Sequence, residues 1–325
     1  MNRIAVSIAL VAAASWGAPV AARASEASVD KAIQPYAKVS GVAGNLSSIG
    51  SDTLNNLMTF WAESFNAAYP SVRVQVEGKG SSTAPPALIE ATAQLGPMSR
   101  AMKADEVDAF EKKFGYPPTQ IRVAVDALAV YVNKDNPLEK LTRPQVDAIF
   151  SKSRRCGETA PLDSWGAVGV QGTLAAQPLR LYGRNSASGT YGYFKEIALC
   201  GGDYRDTVKE QPGSASVVQG VTEDKLGIGY SGLGYKTSGV KALALAKDAK
   251  MPFATTDPEA VYAGKYPLAR FLYVYVNRAP GKPIDPLTEQ FLRFVLSRDG
   301  QEIVLKDGYL PLKAGVVEQE LAKLR

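Results

Sequence analysis

The sequence predicts an α/β protein of two lobes with a ligand cleft between them. Three observations lead there. In the first hundred residues of the folded part, strands, polar loops and helices alternate, the order of a layered domain around a mainly parallel sheet. Two long β-rich runs, 121–132 and 270–276, bracket the middle of the chain and read as two crossings between a discontinuous lobe and a continuous one. Three strand-to-helix loops share a Ser/Thr/Gly composition, and in such sheets ligands lie beyond the carboxyl ends of the strands. A chain of 325 residues is long enough for two cores. The expected lobes are 25–126 with 272–325, and 127–271.

The elements follow in order. Met1-Asn2-Arg3 is basic, 4–14 is apolar, and Ala22-Arg23-Ala24 is a small-x-small cleavage site. Residues 1–24 therefore read as a secretory signal peptide. No other apolar run approaches the ~20 residues of a membrane helix, and no Cys stands at the cleavage site for lipidation. The mature chain is expected in the periplasm, soluble and unanchored. Residues 25–40 are small and polar, an arm of little order. A strand at 42–49 leads to a helix carrying Leu54, Leu57, Met58, Trp61, Phe65 and Ala68 at the 3.6 period, with Trp61 and Phe65 in the core and Pro70 as the stop. Val72, Val74 and Val76 alternate as a strand. Helices follow at 85–92 and 105–114, around a short apolar piece at 94–98. Thr142 and Pro144 open a helix at 141–150. Residues 156–177 are irregular. A strand at 179–182 feeds a polar heptad and a helix at 191–199, in which Tyr191 and Tyr193 read as packing residues. A helix at 214–221, a strand at 227–230, an amphipathic Ala/Lys segment at 242–250, a helix at 287–305 interrupted at Asp299-Gly300, and a short strand at 309–312 complete the chain. No internal repeat of 20–50 residues is visible.

Composition removes several chemistries. There is no histidine, so neither Ser-His-Asp nor Cys-His catalysis is available. The two cysteines, Cys156 and Cys200, are expected to form a disulfide in an oxidising compartment, with free thiols the alternative. It would close a loop of about 44 residues, worth roughly 3–4 kcal/mol. Two cysteines without histidine do not make a zinc site, so no metal or cofactor is expected. The formal charge of +5 falls by two when Arg3 and Arg23 leave with the signal. That mild positive balance suits small anions. No basic block with interleaved aromatics suggests nucleic acid.

The polar loops are 47–53, 80–83 and 184–190. Each ends a strand and opens a helix, where backbone N–H groups lack partners and the dipole favours an anion. With their hydroxyls they supply about ten donors, near what a dehydrated tetrahedral oxyanion needs. Arg184 offers a planar charged fork, and Arg100 a further cation. The plainer reading of 184–190 is a Ser/Thr-capped helix. Asp52 is a misfit beside an anion. It becomes useful if the anion carries a proton, which only an acceptor can receive, and would then favour monohydrogen phosphate over sulfate. Otherwise Asp52 caps the helix at Thr53. Asp126, inside an apolar run, is a second acceptor candidate, or else a crossover residue bonded to backbone.

Ile49-Gly50-Ser51-Asp52-Thr53, Gly78-Lys79-Gly80-Ser81-Ser82-Thr83, Gly96-Pro97-Met98-Ser99-Arg100, Arg184-Asn185-Ser186-Ala187-Ser188-Gly189-Thr190 and the run 224–230 together resemble the periplasmic phosphate-binding proteins of ABC importers. The resemblance covers about residues 41–312. It implies a two-lobed, hinge-closing fold of the type II, Venus-flytrap kind. It implies inorganic phosphate as ligand, a membrane ABC permease as partner, a monomeric state and no enzymatic activity. Carried over by position, Ser51, Thr53 and Ser82 contact the anion from one lobe, and Arg184, Ser188, Gly189 and Thr190 from the other; the loops themselves add Asp52, Ser81, Ser99 and Arg100 as candidate site residues. The family places an Asp after the third strand, where this chain has Ser99-Arg100. Sulfate or another oxyanion is the alternative ligand, and an exported phosphatase using Ser51 or Thr53 the alternative class.

Overall fold

The computed structural model of the chain describes residues 27–325. The expected signal peptide, 1–24, lies outside the described residues. Twelve strands are present among them: β1 (Gly44–Ile49), β2 (Val72–Glu77), β3 (Gly96–Met98), β4 (Thr119–Ala127), β5 (Ala129–Asn133), β6 (Lys140–Thr142), β7 (Arg180–Arg184), β8 (Lys209–Gln211), β9 (Gly227–Ser231), β10 (Val240–Ala242), β11 (Ala244–Ala246) and β12 (Ala269–Val276).

The strands form two sheets of one topology. In the first, β1 and β2 run parallel, Ser48 bridges to Leu95 just before β3, and β12 lies antiparallel between β3 and β4. The order is β2-β1-β3-β12-β4. In the second the order is β8-β7-β9-β5-β10, with β7 parallel to β8 and β9 and with β5 antiparallel to β9 and β10. Each sheet thus has three parallel strands, then an antiparallel strand that has crossed from the other half, then an edge. β4 passes through Leu128 into β5, and β12 returns alongside β4, with Ala269 opposite Ala127. β6 and β11 make a small parallel pair beside the second sheet.

Two cores match the two sheets. The first draws on both ends of the chain, including Leu46, Leu57, Trp61, Phe65, Val123, Leu272, Phe291 and Val304. The second includes Val130, Ile149, Phe150, Trp165, Phe194, Ile228 and Leu245. The helix Asn55–Ala68 shows how pattern becomes packing. Its apolar stripe places Leu57, Met58, Trp61 and Phe65 at zero exposure. Burying each such side chain stabilises the fold by about 1.5–3 kcal/mol. The Trp61 indole N–H, which could not be left unpaired there, donates to Gly300 O at 2.8 Å.

Four elements differ from expectation. The arm is fastened: Ile33 is buried, Tyr36 Oη bonds to Tyr69 Oη and Gln290, and Asp30 accepts from Ala314 N. Three anchoring side chains suffice where composition suggested little order. The 242–250 segment, expected only to be amphipathic, contributes to β10 and β11, and Leu243 and Leu245 lie inside the second core. The 287–305 helix is two helices, Pro286–Val295 and Arg298–Lys306, parted at Ser297, whose hydroxyl caps the second by accepting from Gly300 N. Gly300 lies inside the second helix because a Cβ there would stand 2.2 Å from Phe294 O, so only glycine lets the helices pack this closely. Residues 309–312 make one bridge, Leu310 to Val125, and a final helix, Ala314–Ala322, follows.

Candidate anion-binding site

The carboxyl ends of β1, β2, β3 and β7 converge between the two cores. The first jaw is built by close backbone approach. Ser51 N donates to Pro97 O at 2.8 Å, joining the ends of β1 and β3, and a Cβ on Gly50 would stand 2.2 Å from that same carbonyl. Gly80 N donates to Gly50 O at 2.8 Å, which ties the second loop to the first, and Gly80 holds a φ of 119° that favours glycine. These constraints bury Ser51, Thr53, Ser81 and Ser99. In the second jaw Ser188 caps the short helix Gly189–Tyr193, accepting from Thr190 N and Tyr191 N. The plainer reading of the heptad, a capped helix, therefore holds, and a capping serine can still offer a donor to an anion. Ser188 Oγ accepts two N–H groups and keeps its own hydrogen to donate.

The jaws meet. Thr53 Oγ1 and Thr190 Oγ1 are 2.8 Å apart, Ser99 Oγ is 3.4 Å from Thr190 Oγ1, and Ser82 N donates to Ala187 O at 3.1 Å. Gly189 lies so near the opposite jaw that a Cβ would stand 2.2 Å from Ser81 Oγ and 2.7 Å from Ser99 Oγ. The structure thus brings together residues that the sequence spreads from 51 to 190.

Arg184 ends β7 and is 2% exposed. Nη1 donates to Ser214 Oγ at 2.7 Å and lies 2.9 Å from Asp52 Oδ2, and Nη2 donates to Pro212 O at 3.0 Å. Its Nε is buried without a partner. A buried donor left unpaired costs about 1–3 kcal/mol, and an anion oxygen would satisfy it. Asp52 does not cap its own helix. Its Oδ2 accepts from Ser214 N at 2.8 Å and pairs with Arg184, and no donor reaches Oδ1 among the described residues.

The other two cations are also matched. Arg100 turns both Nη atoms to Glu106, at 2.7 and 2.6 Å, and reaches Ser82 Oγ at 3.4 Å. Asp126 accepts from Arg270 Nε and Nη2 and from Leu233 N, so one backbone bond fits the crossover reading, and the rest is a buried ion pair which that reading did not contain. Arg270 is a site residue the sequence reading missed. It is buried, and it donates to Ser99 O and to Thr190 Oγ1, one from each jaw. Its signal was available: it stands directly opposite Asp126 in the β4–β12 register, a second charge in an apolar run. Three arginines face three carboxylates, so the site is nearly neutral. An anion there would be held by hydroxyls and backbone dipoles more than by net charge.

Behind Arg184 an aromatic column supports the loop. Arg184 N donates to Tyr230 Oη, Tyr230 donates to Tyr204 Oη, and Tyr204 donates to Tyr191 O, which ties together the two ends of 184–191. Tyr191 stacks on Tyr204, and Tyr193 donates to Ala269 O. Cys156 and Cys200 form a disulfide, with Cα atoms 5.5 Å apart, that anchors the far end of the same helical segment. Among the described residues no group of three His, Cys, Asp or Glu side chains is placed to hold a metal, and no helix is long and apolar enough to cross a membrane.

Residues 35–299 match the PBP superfamily domain. The chain is 56% identical over 324 residues to the phosphate-binding protein PstS of Pseudomonas aeruginosa, covering 100% of this chain and 99% of that one. It is 28% identical over 273 residues to the phosphate-binding protein PstS of Bacillus subtilis, covering 83% of this chain and 81% of that one. Among solved structures it is similar to a substrate-binding protein with bound phosphate from Clostridium perfringens, with a TM-score of 0.69 and 24% identity over 83% of this chain and 100% of that one, a likeness of fold.

Proposed function

The chain belongs to the PBP superfamily and, within it, to the phosphate-binding PstS proteins, and from that premise we propose that it binds inorganic phosphate in the periplasm and delivers it to an ABC-type import permease. It acts as a monomeric receptor and not as an enzyme. The lobes are 25–126 with 272–325, and 127–271, and the phosphate lies between them. The observation that carries this reading is the meeting of hydroxyls from both jaws, with the buried Nε of Arg184 left without a protein partner. Ser51, Thr53, Ser81, Ser82 and Ser99 supply donors from one side, with Arg100 behind Ser82. Arg184, Ser188 and the start of the helix at Gly189 and Thr190 supply them from the other. Binding shifts the population toward the closed form, because only closure satisfies both sets at once. Asp52 divides its work: Oδ2 compensates Arg184, and Oδ1 accepts the proton of monohydrogen phosphate.

Competitive calorimetric titration of phosphate against sulfate and arsenate from pH 5 to 9 tests this. Phosphate and arsenate should compete and sulfate should not, and Asp52→Asn should relax that discrimination. Equal competition by sulfate in the wild type would sink the role given to Asp52. Phosphatase turnover that survives EDTA and disappears in Ser51→Ala would sink the receptor reading itself.

A further inference from the structure

We propose that Tyr235 is a positioning residue that locks the closed cleft by holding Asp52, the carboxylate that neutralises Arg184; this rests on the phosphate-receptor reading above. Asp52 follows β1, in the lobe built from the chain ends. The bonds that hold its carboxylate come from the other lobe, and its carbonyl, which accepts from Asn55 N in its own turn, takes a second donor from there. Oδ2 accepts from Ser214 N at 2.8 Å, in the first turn of the helix Ser214–Glu223. That helix has Gly213 at its cap position, with no side chain to serve it, and a Cβ there would stand 3.2 Å from Asp52 Oδ1. Asp52 therefore caps a helix of the opposite lobe, where the dipole favours a carboxylate. The same Oδ2 lies 2.9 Å from Arg184 Nη1.

Tyr235 takes the remaining handle, the main chain. Its hydroxyl donates to the carbonyl oxygen of Asp52 at 2.8 Å. Tyr235 ends the tight turn Leu233–Tyr235, and Leu233 N donates to Asp126 Oδ1 on β4, at the crossing. The turn is wedged: a Cβ on Gly234 would stand 2.7 Å from both Asp307 O and Tyr309 Cε2. It forms a stiff strut from the crossing strand to Asp52. The next carbonyl, Thr53 O, accepts from Tyr309 at 2.8 Å, but Tyr309 packs in the same core as β1. The turn carrying Asp52 and Thr53 is thus held by Tyr309 of its own lobe and by Tyr235 of the other. Opening must break the Tyr235 bond together with the Ser214 and Arg184 contacts. Losing the Tyr235 hydroxyl should weaken the closed form alone.

Stopped-flow kinetics of phosphate binding to the Tyr235→Phe variant test the clasp. One net hydrogen bond corresponds to a rise in dissociation rate of about two- to tenfold. The association rate, the phosphate-to-sulfate preference and the phosphate-free Tm should stay at wild-type values. An unchanged dissociation rate, a slowed association, or an equal Tm loss without phosphate would each overturn the proposal. A dye pair on Glu63→Cys and Lys247→Cys, exposed positions on the two lobes, reads closure without ligand. Tyr235→Phe should shift the anion-free distance distribution toward the open form, and an unmoved distribution counts against the clasp. If the wild type fails to bind phosphate, the receptor reading falls, while the ligand-free distances still decide the role of Tyr235.

Discussion

Replacing Arg184 with methionine should weaken phosphate binding by far more than one lost contact, because it strands Asp52. Arg184 compensates Asp52 at 2.9 Å, its Nε has no protein partner, and on the proposed reading that Nε donates to the anion. Breaking a buried ion pair from one side costs about 3–5 kcal/mol. Asp52 is 22% exposed and keeps its bond from Ser214 N, so the low end applies, about 3 kcal/mol against closure. Loss of the charged hydrogen bond from Nε adds about 1.5–3 kcal/mol. The sum, about 4.5–6 kcal/mol, raises Kd roughly 10³- to 10⁴-fold. Pairing Arg184→Met with Asp52→Asn removes the stranded charge, and the amide oxygen can still accept from Ser214 N. The double variant should therefore bind phosphate about tenfold more tightly than Arg184→Met alone, by calorimetry at pH 7.5. A double variant no tighter than the single one refutes the compensation of Arg184 by Asp52. A loss below about tenfold in Arg184→Met refutes its role as an anion ligand.

Gly189→Ala places a Cβ where Ser81 Oγ and Ser99 Oγ already stand, so it should keep the jaws apart, raising the Kd for phosphate about tenfold or more while leaving the anion-free Tm nearly unchanged. Burial pushes the Asp307 carboxyl up to about 7 from an ordinary 3.8. The folded chain then holds a proton that the unfolded chain has released, so this residue erodes stability as pH rises from about 4 to about 7. Asp307→Asn should accordingly raise Tm at pH 8 and leave it unchanged at pH 3.5, and an equal gain at both would exclude the titration. Replacing Cys156 and Cys200 together by serine frees a 44-residue span and should cost roughly 3–4 kcal/mol in denaturant unfolding, with an intact m-value.

Local signals were read correctly where one element settles its own structure. The stripe of Leu57, Trp61 and Phe65 makes a helix wherever it packs, and the Ser188 cap needs only its own next turn. Where tertiary contacts overrode local composition, the reading failed, as when the small, polar arm was fastened through Ile33 and Tyr36. The shared order of the two sheets left no trace as a repeat, because topology constrains hydrogen-bond partners and not side-chain identity.

At the site the division is sharper. The sequence by itself determined the hydroxyl-rich loops, Arg184 as a candidate cation beside them, the absence of histidine chemistry and the pairing of the only two cysteines. Each of these depends on residue type and on neighbours within a turn or so, or on there being no other candidate. Only the tertiary structure decided what Asp52 touches, that Arg270 stands between Ser99 and Thr190, and that Tyr235 reaches back to the first loop. Those contacts join positions 52 with 184, 214 and 235, and 99 with 270. Their distances are set by how two separately packed lobes meet, which spacing along the chain does not encode.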